Sequence, residues 1–239
     1  WSPRECFTYP FDTPGSANDL VVSGNLAYVA DGTGGLRVFD VSNSSSSFQE
    51  VGLLPTPGYL KTAHVAGSYG YVLDQLGSFW VLDVSDPSNP VDVGWSLLPE
   101  AGNEVVETNV VSRTYALVAD GTSGLQILDV TNPLAPEAAG SFDTPGNANG
   151  VAVSGSLAYV ADGDGGLRIL DISNPAAPLE VGFYYVNNQA MDVFVLGNYA
   201  YVTDSAYGLR ILDVTDPSTP VKMGLYEHEG VHRVFVEGS

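Results

Sequence analysis

One phrase written five times constrains this chain more than anything else in it. In its fourth copy the phrase reads Tyr159-Val-Ala-Asp-Gly-Asp-Gly-Gly-Leu-Arg-Ile-Leu-Asp-Ile-Ser-Asn-Pro175. Aligned on the acidic residue that ends the first apolar run, the copies fall at Asp31, Asp74, Asp120, Asp162 and Asp204, spaced 43, 46, 42 and 42 residues apart. A second aspartate follows nine positions later in every copy, at Asp40, Asp83, Asp129, Asp171 and Asp213. A fixed period of this length marks an array of like units, each of which buries its apolar face only against a neighbour.

Each period holds four strand candidates, which in the fourth copy are 149–153, 157–161, 167–172 and 179–183. They are rich in Val, Ile, Leu, Tyr and Phe and are bounded by Gly, Pro, Asn, Asp or Ser. Asp162-Gly-Asp-Gly-Gly166 suits a tight hairpin, because glycine reaches positive φ without a Cβ clash. The Asn-Pro-x-x-Pro segments lack N–H donors and belong on connections outside a sheet. No window shows helical apolar spacing. The third strand, Leu167-Arg-Ile-Leu-Asp-Ile172, is apolar on both faces, as a sheet stacked between two others must be. A β-helix has shorter coils and a leucine-rich solenoid another Leu/Asn spacing. The expected fold is all-β: a β-propeller of four-stranded antiparallel blades.

Residues 1–239 read as one propeller domain. Residues 1–17 are expected to form a tail and an outer strand, since Phe11-Asp-Thr-Pro-Gly15 repeats Phe142-Asp-Thr-Pro-Gly146. Five blades follow over 18–226. Residues 227–239 carry the inner strand of a sixth, because His232–Gly238 matches Val151–Gly155. Two middle strands of that sixth blade are missing from the pattern. Six blades are favoured over five with dangling ends, completed by a continuation past Ser239 or by something else.

With 8 basic against 28 acidic residues, the net charge is −20. That argues against nucleic acid as a partner, because phosphate binding needs Lys/Arg clusters and none exist here. It favours cationic partners and a self-repelling particle. No apolar run reaches the ~18 residues of a membrane helix. The start at Trp1 reads as a processed or excised piece. Cys6 is the single cysteine, so no internal disulfide forms; its thiol is buried or terminal, or pairs with a missing segment. Asn43-Ser44-Ser45 is a glycosylation sequon on an exposed connection, in keeping with export.

The phrases Leu167-Arg-Ile-Leu-Asp-Ile-Ser-Asn-Pro175 and Leu209-Arg-Ile-Leu-Asp-Val-Thr-Asp-Pro217 closely resemble the LVIVD repeat, and the likeness runs through nearly the whole chain. The second copy departs most, with Phe79-Trp80 where others have Leu-Arg or Leu-Gln, and the first has Asn43-Ser44 in place of Asn-Pro. The resemblance implies a propeller of a bacterial or archaeal family, mostly exported or surface-attached, with a scaffolding or adhesive role. It implies no catalytic residues.

In such a fold the inner strand of each blade and the turn between its second and third strands open on one face. Counting 13 and 12 positions back from each turn aspartate places Asn18-Asp19, Lys61-Thr62, Glu107-Thr108, Asn149-Gly150, Met191-Asp192 and His232-Arg233 around the channel mouth. Variable polar groups on a fixed frame suit a binding face, although channel mouths are wet and tolerant in any case.

Asp162-Gly-Asp164 has the flavour of a calcium loop. Thr33 and Ser205-Ala206 occupy the equivalent turn elsewhere, which favours a plain hairpin and no required cofactor. The second aspartates most simply cap the Asp-x-Ser-Asn-Pro turn. His228-Glu229-Gly-Val-His232 matches a zincin pattern, but that chemistry needs a helix, and this segment aligns with a strand. Arg37, Arg168 and Arg210 share one strand position and are each expected to meet an aspartate or carbonyl of the next blade. No nucleophile elbow, P-loop, dinucleotide fingerprint or CxxC appears.

These residues lead to the expectation of a non-catalytic extracellular or cell-surface module for interaction, adhesion or structure. Its partners would be other surface proteins, glycans or further copies of itself. A glycan- or cation-binding mouth is the second reading. A hydrolase or lyase using Glu107, Asp192 and His232 comes third.

Overall fold

A computed structural model describes residues 12–42, 48–228 and 231–235. Five antiparallel sheets of four strands follow one another along the chain, each in sequential order, over 19–54, 60–97, 104–142, 150–184 and 190–226. No helix occurs among the described residues. The inner strands of consecutive blades lie side by side, so the sheets radiate from a channel and form a β-propeller. Cys6, Asn43 and nearly all of the outer strand expected before residue 12 lie outside the described residues.

Blade four shows how the phrase folds. Leu157–Ala161 and Leu167–Asp171 pair in register, and the connecting turn holds Gly163 and Gly166 at positive φ, 54° and 81°. Gly165 is required for space: a Cβ there would stand 1.9 Å from Asp162 Oδ2. Along the outer strand the register shifts between Ile169 and Leu170, opposite Gly182. The same bulge recurs at Val38/Phe39, Val81/Leu82, Ile127/Leu128 and Ile211/Leu212. A bulge bends the strand and steepens its twist, and the glycine beside it opens a notch. Into the notches of blades one to four fits the carbonyl of a proline from the following blade: Pro87, Pro133, Pro175 and Pro217, at 1.9–2.1 Å from where a Cβ would sit.

The core lies between blades. Tyr159, Leu167 and Ile169 of blade four pack against Val193, Val202 and Leu212 of blade five, and each of the preceding interfaces has a like cluster. That is why the third strand is apolar on both faces. The interfaces are also stitched by backbone: Gly32 bridges to Leu60, Gly121 to Ala148 and Gly163 to Ala190.

The third period differs. Its inner hairpin has two seven-residue strands, Glu104–Val110 and Arg113–Ala119, joined at Val111-Ser112 with φ of 46° and 65°. The additional residues extend this hairpin at the end away from the mouth. Residues 231–235 carry no strand assignment. They lie where a sixth inner strand would, since Val234 N donates to Asp192 Oδ2 at 2.8 Å and Arg233 pairs with Asp19 of blade one.

Candidate binding site at the channel mouth

Strand register fixes which inner-strand residues are equivalent. Asp19, Thr62, Glu104, Gly150 and Asp192 face Ala30, Leu73, Ala119, Ala161 and Thr203 respectively on the second strands. Arg233 takes the sixth place. Carboxylates therefore stand on blades one, three and five, and each accepts a backbone N–H from the next inner strand. Ala63 N donates to Asp19 Oδ2 (3.0 Å), Val151 N to Glu104 Oε2 (2.7 Å) and Val234 N to Asp192 Oδ2 (2.8 Å). The Thr62 hydroxyl donates to the same Asp19 oxygen at 2.5 Å. A repeated acid-to-amide bond of this kind closes one blade on the next.

The three carboxylates converge with one guanidinium between them. Burial pushes the Glu104 carboxyl up to about 8, and the neighbouring Asp192 charge adds to it. Burial also raises Asp192, against the opposing pull of its two backbone donors. Burial works against the Arg233 charge, but Asp19, Glu104 and Asp192 more than offset it and hold Arg233 above its ordinary value. The cavity at the mouth holds about 320 Å³, lined by Glu104, Asp192 and Arg233 among others, and the channel behind it about 790 Å³. Val106, Ala152 and Phe194 line that deeper part, together with His64, whose imidazole burial keeps on the neutral side of its usual range.

One residue outward, most side chains are used as rivets. Asn18 Nδ2 donates to Leu60 O (2.7 Å), Asn103 Nδ2 to Ala148 O (2.9 Å) and Asn149 Nδ2 to Ala190 O (2.9 Å). Lys61 Nζ donates to Ala101 O (3.0 Å) and Asn103 Oδ1 (2.9 Å). Every one of these bonds crosses to the next blade. Met191 and His232 complete the rim, and the His232 carbonyl accepts from Thr203 Oγ1 at 3.3 Å.

The structure thus brings Asn18, Asp19, Lys61, Thr62, Asn149, Asp192, His232 and Arg233 to the mouth, but not Glu107 and Thr108. Those two are corrected: the lengthened hairpin puts them deeper, with Thr108 opposite Tyr115 and Glu107 Oε2 accepting from the Tyr71 hydroxyl at 3.1 Å. Asn103 and Glu104 hold their places instead. A fixed offset assumed that the added residues of the 46-residue spacing fell outside the hairpin; they are divided between its two strands.

The turn aspartates clamp the chain. Asp162 takes the Thr144 hydroxyl (2.5 Å) and Gly146 N (2.9 Å) from the segment leaving blade three, and Asp31 takes Thr13 and Gly15 in the same way. Asp162 is fully buried, and each of its two oxygens accepts one of these donors. Among the described residues no group of three His, Cys, Asp or Glu could hold a metal ion. Asp40, Asp83, Asp129, Asp171 and Asp213 each accept the backbone N–H two residues on, at 2.8–2.9 Å. These bonds contribute to holding all five below the usual carboxylate range.

The arginines are a second correction. They pair within their own blade, Arg37 with Asp31 (2.7 Å) and Glu50 (2.9 Å), Arg210 with Asp204 (2.8 Å), and Arg168 with Glu180 (3.4 Å). The turn aspartate closes the same hairpin that carries the arginine, six residues earlier. In blade three Gln126 replaces the arginine, and burial pushes the Asp120 carboxyl up to about 6. The zincin-like segment is interrupted by Glu229 and Gly230, outside the described residues, and no helix is assigned at 231–235.

A family model described as LVIVD repeat matches residues 14–52, 57–95, 109–144, 145–186 and 188–228. These matches span most of the chain, which belongs to the LVIVD-repeat family. Among solved structures, a functionally unknown protein from Desulfotomaculum acetoxidans DSM 771 is similar at a TM-score of 0.77 and 13% identity, over 92% of this chain and 72% of that one. The computationally designed Ika8 protein is similar at a TM-score of 0.70 and 11% identity, over 92% of this chain and 65% of that one, so the chain spans under two thirds of its length. At such identities the likeness concerns the fold alone. No curated protein matches.

Proposed function

We propose that this LVIVD-repeat propeller is a non-catalytic module of the cell surface or extracellular space, serving interaction, adhesion or structure. One observation carries the reading: polar groups of the rim and of the repeated turns are spent on neighbouring blades. Asn18, Lys61, Asn103 and Asn149 bond to backbone carbonyls across interfaces. Asp31 and Asp162 are buried clamps. A general acid or base needs a free proton partner facing substrate, and these groups face protein. The net charge of −20 and the sequon at Asn43 support export.

The test is binding of the purified chain to bacterial envelopes and to a glycan array, alongside a panel of glycosidase, lyase and peptidase substrates. Retained envelope or glycan binding with no turnover is the expected result. Turnover that disappears in D192N would overturn the reading.

A second reading, a mouth that takes a cationic ligand, is favoured by three convergent carboxylates against one arginine. Its test is a shift in Tm with spermine that is lost in the combined E104Q and D192N variant. No shift removes it.

A further inference from the structure

Inward of the ring at Asp19, Thr62, Glu104, Asp192 and Arg233, the described channel wall is apolar with two exceptions, His64 and Glu107. Strand register shows how local they are. His64 stands where the other four complete blades place Val21, Val106, Ala152 and Phe194. Glu107 stands where all four others place valine. Tyr71 ties the two together. Its ring stacks on His64 with centroids 6.4 Å apart, and its hydroxyl donates to Glu107 Oε2 at 3.1 Å. Burial keeps the imidazole on the neutral side of its usual range, so its unprotonated nitrogen is an acceptor on the channel wall. Polar groups set into an apolar wall are costly until something bonds to them.

We infer that the channel binds a linear α,ω-diamine, with one ammonium among Asp19, Glu104 and Asp192 and the other between Glu107 and His64. The inference deepens the reading of the mouth as a cation site and rests on it. Its two acidic anchors share the strand Glu104–Val110: Glu104 takes Val151 N of blade four, and Glu107 the Tyr71 hydroxyl of blade two. Three residues of strand set them ~10 Å apart along the channel. With C–C bonds of ~1.5 Å laid in zigzag, a chain of about eight carbons covers that rise. The wall between is hydrocarbon, Val106, Ala152 and Phe194 among it, which favours methylenes over further charges. At the deep end a neutral imidazole and a carboxylate both accept, so the pair suits an N–H donor and disfavours an anion. The volume of about 790 Å³ lies within the range of small-molecule sites.

The experiment is thermal denaturation and calorimetric titration of the chain with the butane, hexane, octane and dodecane α,ω-diamines. Octylamine is the control with one charge, and spermine is run alongside. The expected result is an affinity that peaks at octane diamine and exceeds that of octylamine by ~tenfold or more. Tm should rise by ~5 °C or more at about a hundredfold excess over Kd. Glu107→Gln keeps an oxygen for the Tyr71 hydroxyl and is expected to bring octane diamine down to within ~twofold of octylamine. His64→Leu, apolar like the equivalents in the other blades, should remove the same advantage. A spermine shift beside a flat diamine series overturns the inference and leaves the cation mouth standing, whereas silence from spermine and diamines alike removes both. An octane diamine affinity untouched by Glu107→Gln and His64→Leu also overturns it.

Discussion

Arg233 pairs with Asp19 across 214 positions of sequence and joins the last described segment to the first blade. The pair is half exposed on the arginine side and buried on the aspartate side, 54% against 7%. Its strength therefore resides in Asp19, which also takes Ala63 N and the Thr62 hydroxyl.

Replacing Asp19 by Asn should cost more than replacing Arg233 by Ala. Solvent screening limits the ion pair itself to about 1 kcal/mol, or ~3 °C in Tm for a chain of this size. Loss of the bridging carboxylate also weakens the joint between blades one and two. Thermal denaturation of both singles and the double at low salt checks this, with a coupling that shrinks at 1 M salt.

Glu104 gives the mouth a pH dependence of definite sign. Its folded pKa is raised to about 8, so the folded state binds more protons than the unfolded one between the ordinary carboxylate range and that value. Stability is then greatest at the acid end of the window and falls as pH rises through it. The wild type should lose Tm between pH 5 and pH 8. Glu104→Gln, which keeps an oxygen for Val151 N, should flatten that loss by ~3 °C or more. An unchanged slope would show that Glu104 is not the responsible group.

Blade three offers a repair. Asp120 lacks the arginine that Asp31 and Asp204 enjoy, its Oδ1 has no partner among the described residues, and burial holds it at about 6. Gln126→Arg should reinstate the pairing seen between Arg37 and Asp31. The expected outcome is an Asp120 carboxyl titrating at least ~1 pH unit lower by NMR. Tm at pH 7 should rise by ~2 °C or more.

The notch at Gly140 is filled by the Pro175 carbonyl, 2.1 Å from a would-be Cβ. Gly140→Ala should destabilise by about 2–3 kcal/mol, since backbone on backbone cannot give way as a flexible side chain does. Chemical denaturation measures it, and a neutral result would mean that neighbouring blades slide past one another freely.

Much of this fold was legible because the period is short and written in strand and turn residues. The four strands of blade four fall within about one residue of the expected ranges, since Gly, Asp and Pro bound them on either side. The capping role of Asp171 and its equivalents was legible too, being a local bond over two residues. What escaped was non-local. Where four added residues enter a hairpin is decided by pairing on both strands, so Glu104 could not be told from Glu107 by counting. The partners of Arg37 and Arg210 depend on side-chain direction within a strand pair, which spacing alone leaves open. That the rim asparagines are rivets needed the neighbouring blade's carbonyls in place.

The glycine notch also bears on how such a chain could have grown. Because the four filled joints use the same socket and the same proline carbonyl, a unit copied from anywhere in the row arrives with both halves of its fastening. Gene duplication can lengthen the series without inventing new contacts. What fixes the final number is the geometry of meeting the starting blade again.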